Sequence, residues 1–190
     1  MADLVNQHID EHLETIATLR DGLIDSISEV GVLLAQSLTN DNAVFWCGNG
    51  GSAADSQHLA AELVGRFKKD RRPLRSIALT TDASILTSVA NDYGYDDIFS
   101  RQVEALGRPK DVLVAMSTSG NSENIIRAIK AAKAKGMIAV ALLGKDGGKA
   151  KDLADYTIII QSNSTARIQE AHILIGHIFC ELIESEMGLD

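Results

Sequence analysis

Ala43-Val44-Phe45-Trp46-Cys47-Gly48-Asn49-Gly50-Gly51-Ser52-Ala53-Ala54 runs five apolar residues straight into a glycine-rich loop. The apolar run shows no polar alternation, which is the pattern of a strand covered on both faces. Residues 53–67 then read as a helix. The same unit recurs along the chain. Apolar runs at 76–79, 111–116, 137–142 and 156–160 read as strands. Between and after them, helices are expected at 84–90, at 95–106, from the second serine-rich loop to 135, and at 165–186. Strands alternating with helices predict an α/β fold: a three-layer sandwich with a five-stranded parallel sheet between helices. Lys145-Asp146-Gly147-Gly148 reads as a turn inside this domain, and no internal repeat or linker divides it.

Upstream of the first strand, Leu13, Ile16, Leu19, Leu23, Ile27, Val30 and Leu34 recur at helical spacing. Gly22 and Gly31 interrupt that stripe without ending it. One bent helix or two consecutive helices are therefore expected over 4–38. The division read here is a helical arm over 1–40, for oligomer packing, and a catalytic or binding domain over 41–190. Such an arm must bury its stripe on its own domain or on another subunit.

The chain has 190 residues, 45% of them hydrophobic, with 15 glycines and two prolines. That composition supports one sizeable core and excludes a disordered chain. Eighteen basic against 26 acidic side chains leave a net charge of −8. An acidic chain without a basic block argues against nonspecific binding to nucleic acid or an anionic membrane. No apolar stretch approaches the roughly 18 residues of a membrane span, and the N-terminus lacks a secretory pattern. Cys47 and Cys180 have no disulfide or metal spacing and read as buried, reduced thiols. A cytoplasmic protein is expected.

Ligands of open parallel sheets bind beyond the carboxyl ends of the strands. Two loops there carry small and hydroxyl residues: Gly48-Asn49-Gly50-Gly51-Ser52 and Ser117-Thr118-Ser119-Gly120-Asn121-Ser122. The first formally matches a G-x-G-x-x-A dinucleotide loop. Its acid should follow about 20 residues on, but the nearest strand-ending acid, Asp82, comes 34 residues after Gly48. The second loop precedes a helix that Asn121 or Ser122 can cap. Free N–H groups at a helix start, with hydroxyl donors, can hold a phosphate monoester without Lys or Arg. A plain serine-rich turn with an ordinary cap is the other reading of that loop. Two such loops on one sheet edge favour a small phosphorylated ligand.

His58 and Glu62 stand at i, i+4 on the helix after the first loop and so share a face. That pairing suits a divalent metal or an acid–base pair, and it is also a common surface pair. On the last helix, Gln169 and His177 are separated by roughly 12 Å of helix axis. Their spacing alone does not make one metal site. His172 and His177 do not face together either. His8 and His12 are an i, i+4 pair with no ligand loop beside them and read as solvated.

The stretches CGNGGSAADSQHLAAELVGRF (47–67), IALTTD (77–82), VANDYGYDDIF (89–99), SRQVEALGRPKDVLVAMSTSGNSENI (100–125) and RIQEAHILIGHIFCELIE (167–184) resemble the phosphoheptose isomerases. These are sugar-isomerase (SIS) domain proteins, and the resemblance runs from about Gln36 to the C-terminus. It implies a homotetramer with active sites at subunit interfaces. It implies conversion of sedoheptulose 7-phosphate to D-glycero-D-manno-heptose 7-phosphate, the first step toward ADP-heptose for the lipopolysaccharide core. It places one zinc ion per active site on His58, Glu62, Gln169 and His177. Substrate-binding positions fall on Asn49, Gly50, Gly51, Ser52, Glu62, Asn91, Asp92, Ser117, Thr118, Ser119, Ser122 and Gln169. The resemblance also assigns Glu62 as catalytic base and His177 as catalytic acid. A related adaptor that binds a replication initiator shares the loops and the tetramer, but lacks that Glu and that final His. Both are present here, which favours the enzyme over the adaptor.

Overall fold

The computed structural model describes residues 1–189. Five strands, β1 (Val44–Gly48), β2 (Ser76–Ala78), β3 (Val112–Ser117), β4 (Ile138–Gly144) and β5 (Tyr156–Ile160), form one sheet in the order β2-β1-β3-β4-β5. Every neighbouring pair is parallel. Alternate residues serve opposite faces, as strand geometry requires. Val44, Trp46, Val114, Met116, Val140 and Leu142 face one apolar layer. Phe45, Cys47, Leu113, Ala115, Ala139 and Ala141 face the other.

The first layer is built by α1 (Ala2–Gly22), α2 (Ile24–Thr39), α3 (Gly51–Val64) and α7 (Thr165–Glu186). The second is built by α4 (Ala83–Asp92), α5 (Ser100–Leu106) and α6 (Glu123–Ala134). The expected α/β three-layer architecture is therefore the architecture found. Cys47 and Cys180 are buried free thiols, and burial raises the pKa of both.

The N-terminal stripe resolves into two helices. Leu23 leaves helical geometry at φ −122°, ψ 0° beside Gly22, the weak helix former. α2 then buries Ile27, Val30, Leu34 and Leu38, and Gly31 lets it approach Leu182 of α7 closely. The helix expected over 95–106 is shorter. Gly94 at φ 108° turns the chain, Tyr95–Asp97 form one 3-10 turn, and α5 starts at Ser100. Arg127 of α6 donates to Asp97 at 2.8 Å and holds that turn in place. α3 begins two residues earlier than read from the pattern, because Gly50 at φ 56° turns the chain directly out of β1.

Candidate active site

The strand order reverses between β1 and β3. The chain leaves β1 for β2 on one side, then crosses to β3 on the other. Such a switch point opens a crevice at the carboxyl edge of the sheet. Both serine- and glycine-rich loops sit there, the first after β1 and the second after β3. Asn49 and Asn124 tie them together with a reciprocal pair of amide hydrogen bonds, each 2.9 Å. The Tyr95 hydroxyl also donates to Asn49 Oδ1, at 3.0 Å.

In the second loop, Ser122 occupies the N-cap position of α6 but makes no side-chain cap bond. Its hydroxyl faces Ser117 Oγ at 3.3 Å instead. Asn121 turns away: its Nδ2 donates to Ser119 O, and its Oδ1 accepts from Lys149 N. The side-chain cap expected from Asn121 or Ser122 is thus absent. Ser117 Oγ accepts from Gly120 N at 3.1 Å, and Ser119 Oγ accepts from Asn121 N at 3.1 Å. The loop is a turn held by its own hydroxyls, with Thr118 and Ser119 half-buried beside the start of α6.

α3 and α7 lie side by side and point the same way. Gly51 sits against Gln169, Leu59 against Gly176, and His58 against His177. A Cβ at Gly176 would stand 2.5 Å from Leu59, so glycine is what permits this approach. The result is a cluster of His58, Glu62 and His177, with candidate ligand atoms all within 4.8 Å of one another. His58 Nε2 lies 2.8 Å from His177 Nε2 and 3.3 Å from Glu62 Oε1. The His58 side chain is 48% exposed, so the cluster opens to solvent in a single chain.

Gln169 stands elsewhere on the same helix pair. Its amide lies over Gly51, where a side chain would collide with it, and neighbours Asp55, whose Oδ2 is buried without a hydrogen-bond partner. Asp55 is a buried carboxylate that the sequence reading passed over. Burial raises its pKa, and neither the nearby Gln169 amide nor the neighbouring His58 offsets that. Its one sequence signal is a position one turn before His58 on α3, and that does not show that Gln169 packs beside it. Asn91 and Asp92 end α4, exposed, with Asn91 Nδ2 donating to Asp92 Oδ1 at 2.8 Å. Their hydrogen bond is to each other rather than to either loop. Asp82, the misplaced acid of the dinucleotide reading, is the N-cap of α4 and accepts from Ile85 N.

The remaining histidines divide. His172 is fully buried, with Nε2 against Leu143 O at 3.1 Å. His12 is a correction to the solvated reading: its Nδ1 meets Glu170 Oε2 of α7 at 2.7 Å. His8 stays exposed near Glu11.

Two imidazole nitrogens and one carboxylate oxygen form a donor set suited to zinc and similar divalent ions. Zinc–nitrogen bonds of about 2.0–2.1 Å would hold the two nitrogens about 3.3 Å apart, so only a slight opening of the pair is needed. The residues present therefore fit a metal ion.

The SIS-domain family model matches residues 7–144. The phosphoheptose isomerase of Nitratiruptor sp. is 50% identical over 184 residues, covering 97% of this chain and 98% of that one. The chain belongs to the phosphoheptose isomerase family. Solved phosphoheptose isomerases share its fold along their whole length. The structure from Neisseria gonorrhoeae superposes with a TM-score of 0.91 at 46% identity, covering 97% of this chain and 98% of that one. The structure from Francisella tularensis gives 0.94 at 35% identity, with the same coverage. As a phosphoheptose isomerase, the chain is an aldose–ketose isomerase, which is chemistry that a histidine–carboxylate cluster can perform.

Proposed function

We propose that the chain converts sedoheptulose 7-phosphate to D-glycero-D-manno-heptose 7-phosphate, the first step toward ADP-heptose for the lipopolysaccharide core. The observation that carries this reading is the convergence of His58, Glu62 and His177 on the α3–α7 pair, in a chain that also carries two ligand loops at the switch point of its sheet. Ser117, Thr118, Ser119 and Ser122 anchor the phosphate. Asn49, Gly50, Gly51, Ser52, Asn91, Asp92 and Gln169 address the sugar. Anchoring the phosphate holds the reacting carbons at the carboxylate and removes most of the orientational search.

Glu62 takes a proton from C1 of the open-chain ketose, and the released electron pair forms the C1–C2 double bond. His177 gives a proton to the C2 oxygen, producing the enediol. In the second half, Glu62 returns a proton to C2 while His177 takes the proton of the C1 hydroxyl, which leaves the aldehyde. Each such group is worth roughly 10²–10⁴ in rate. His58, Glu62 and His177 would hold one zinc ion per site, and Gln169 would join them as a fourth ligand only by leaving its place over Gly51. Such an ion, when bound, supplies polarisation of the sugar carbonyl.

We further propose a homotetramer whose subunits complete one another's sites, working in the cytoplasm. Its support is an open triad, an α4 without buried residues, and an outward apolar stripe on α1. No helix among the described residues is long and apolar enough to cross a membrane. An assay with sedoheptulose 7-phosphate tests the reaction. Turnover should fall by roughly 10²–10⁴ in Glu62→Gln, with phosphate binding retained. Wild-type protein that binds the sugar phosphate without converting it would favour the adaptor reading.

A further inference from the structure

His177, Glu181 and Glu184 stand at i, i+4 and i+7 on α7 and so share one face. Residues 66–71, which follow α3, lie across that face like a strap. Glu184 Oε1 accepts from Phe67 N at 3.1 Å, and Glu184 Oε2 accepts from Lys68 N and Lys69 N at 3.0 and 3.1 Å. Lys68 Nζ reaches Glu181 at 2.8 Å. Arg71 Nε donates to Glu184 at 3.0 Å, and both side chains of that pair are at most 4% exposed. Arg71 also donates to the carbonyls of Leu63 and of Glu62 itself, each at 2.9 Å. The Glu62 carbonyl is one that the end of α3 would otherwise leave without a partner, whereas Leu63 O also accepts from Leu74 N at 3.0 Å.

The strap delivers one aromatic ring to the cluster. Phe67 stacks on the His177 imidazole, with centroids 5.7 Å apart and planes 18° from parallel. His58 meets the same imidazole edge-on, at 5.1 Å and 81°. The His177 ring is therefore held between a face and an edge. Rotation about its side-chain bonds would break the stacking contact. The ring is offered from a fixed backbone, because Phe67 N is bonded to Glu184 and Arg71 ties Glu184 to the end of α3.

We propose that Phe67 is a positioning residue, held by the Arg71–Glu184 pair, that fixes the plane of the His177 imidazole for proton transfer. The proposal rests on the isomerase reading for its catalytic consequence and on the ring geometry for its structural one. Full-length Phe67→Leu and Phe67→Tyr test both. A misaimed acid costs up to about 100-fold in rate. Phe67→Leu should lower kcat by about 10- to 100-fold and leave KM within about twofold, because the phosphate anchor is elsewhere. Phe67→Tyr keeps the stacked ring and should restore kcat. With five histidines in the chain, the imidazole Cε1–H resonances of the metal-free protein can be assigned. The His177 signal should move in Phe67→Leu and stay in place in Phe67→Tyr. Wild-type kcat in Phe67→Leu, or equal impairment in both variants, overturns the catalytic part. An unmoved His177 resonance in Phe67→Leu overturns the positioning itself. Wild-type protein inactive on the sugar phosphate defeats the isomerase reading instead, and the resonance still decides the positioning.

Discussion

His172 is buried among apolar side chains, with one ring nitrogen on a carbonyl and Nδ1 without a partner. Burial lowers its pKa from 6.5 to about 4, and the bond to Leu143 only partly opposes this. The unfolded chain therefore binds a proton near pH 6.5 that the folded chain refuses until about pH 4. Stability is unaffected above that window and falls as pH drops through it, by about 3 kcal/mol in all. His172→Gln can keep the donor without the titration. Urea unfolding across pH 4–7 should lose that share of the acid slope in the variant, and an unchanged slope would remove His172 as its source. Glu184 behaves differently. Burial alone would raise its pKa, but the three backbone N–H groups and Arg71 outweigh this and hold it down. Its contribution is present above the ordinary carboxylate range and is lost as pH falls below it, so the two windows can be separated. Asp55, beside Gln169, was not legible as a site residue. A single polar residue inside a helix does not reveal which neighbour the fold will bring against it.

The α3–α7 pair is the element that turns spacing into a site. His58 and Glu62 were visible as one face of one helix, because i, i+4 geometry is local. His177 was legible only through the family resemblance and not from spacing, because its partner lies 119 residues away. What brings them together is Gly176, an unremarked glycine inside a helix, which admits Leu59. Gly176→Ala adds a methyl where the neighbour stands at 2.5 Å. A loss of about 1–3 kcal/mol is expected from such overpacking. Activity should fall with it, because the adjacent His177 is displaced. Equilibrium unfolding and kcat measured on the same preparation check both, and a variant with wild-type kcat would separate packing from catalysis. The Arg71–Glu184 pair lay equally out of sight, since 113 residues separate the partners.

At the scale of the molecule, the sheet was legible almost throughout. Five short apolar runs separated by helical stretches read as strands of a covered sheet, and their order in the chain leaves few topologies, although the edge strands β2 and β5 are covered less completely than β1, β3 and β4. Boundaries shifted where backbone geometry overrode pattern, at Gly50, Leu23 and Gly94. The two loops were legible as ligand loops because strand ends and small residues mark them. Their linkage through Asn49 and Asn124 was not, because it depends on β1 and β3 being neighbours. The outward face of α1 leaves Ile9 and Leu13 more than half exposed, beside Leu4 and Val5. If this stripe packs between subunits, Ile9→Glu with Leu13→Glu should shift the sedimenting species from the proposed tetramer toward smaller forms and reduce activity with it. Unchanged sedimentation would place the interface elsewhere.

The central claim is that Glu62 carries a proton between C1 and C2 of the sugar phosphate. Wild-type protein and Glu62→Gln, incubated with sedoheptulose 7-phosphate in heavy water and followed by NMR, test it directly. The wild type should form the aldose with deuterium at C2. Glu62→Gln should neither form the aldose nor exchange the C1 hydrogen, while still binding the phosphate. Aldose formation or C1 exchange by Glu62→Gln at the wild-type rate would contradict the account.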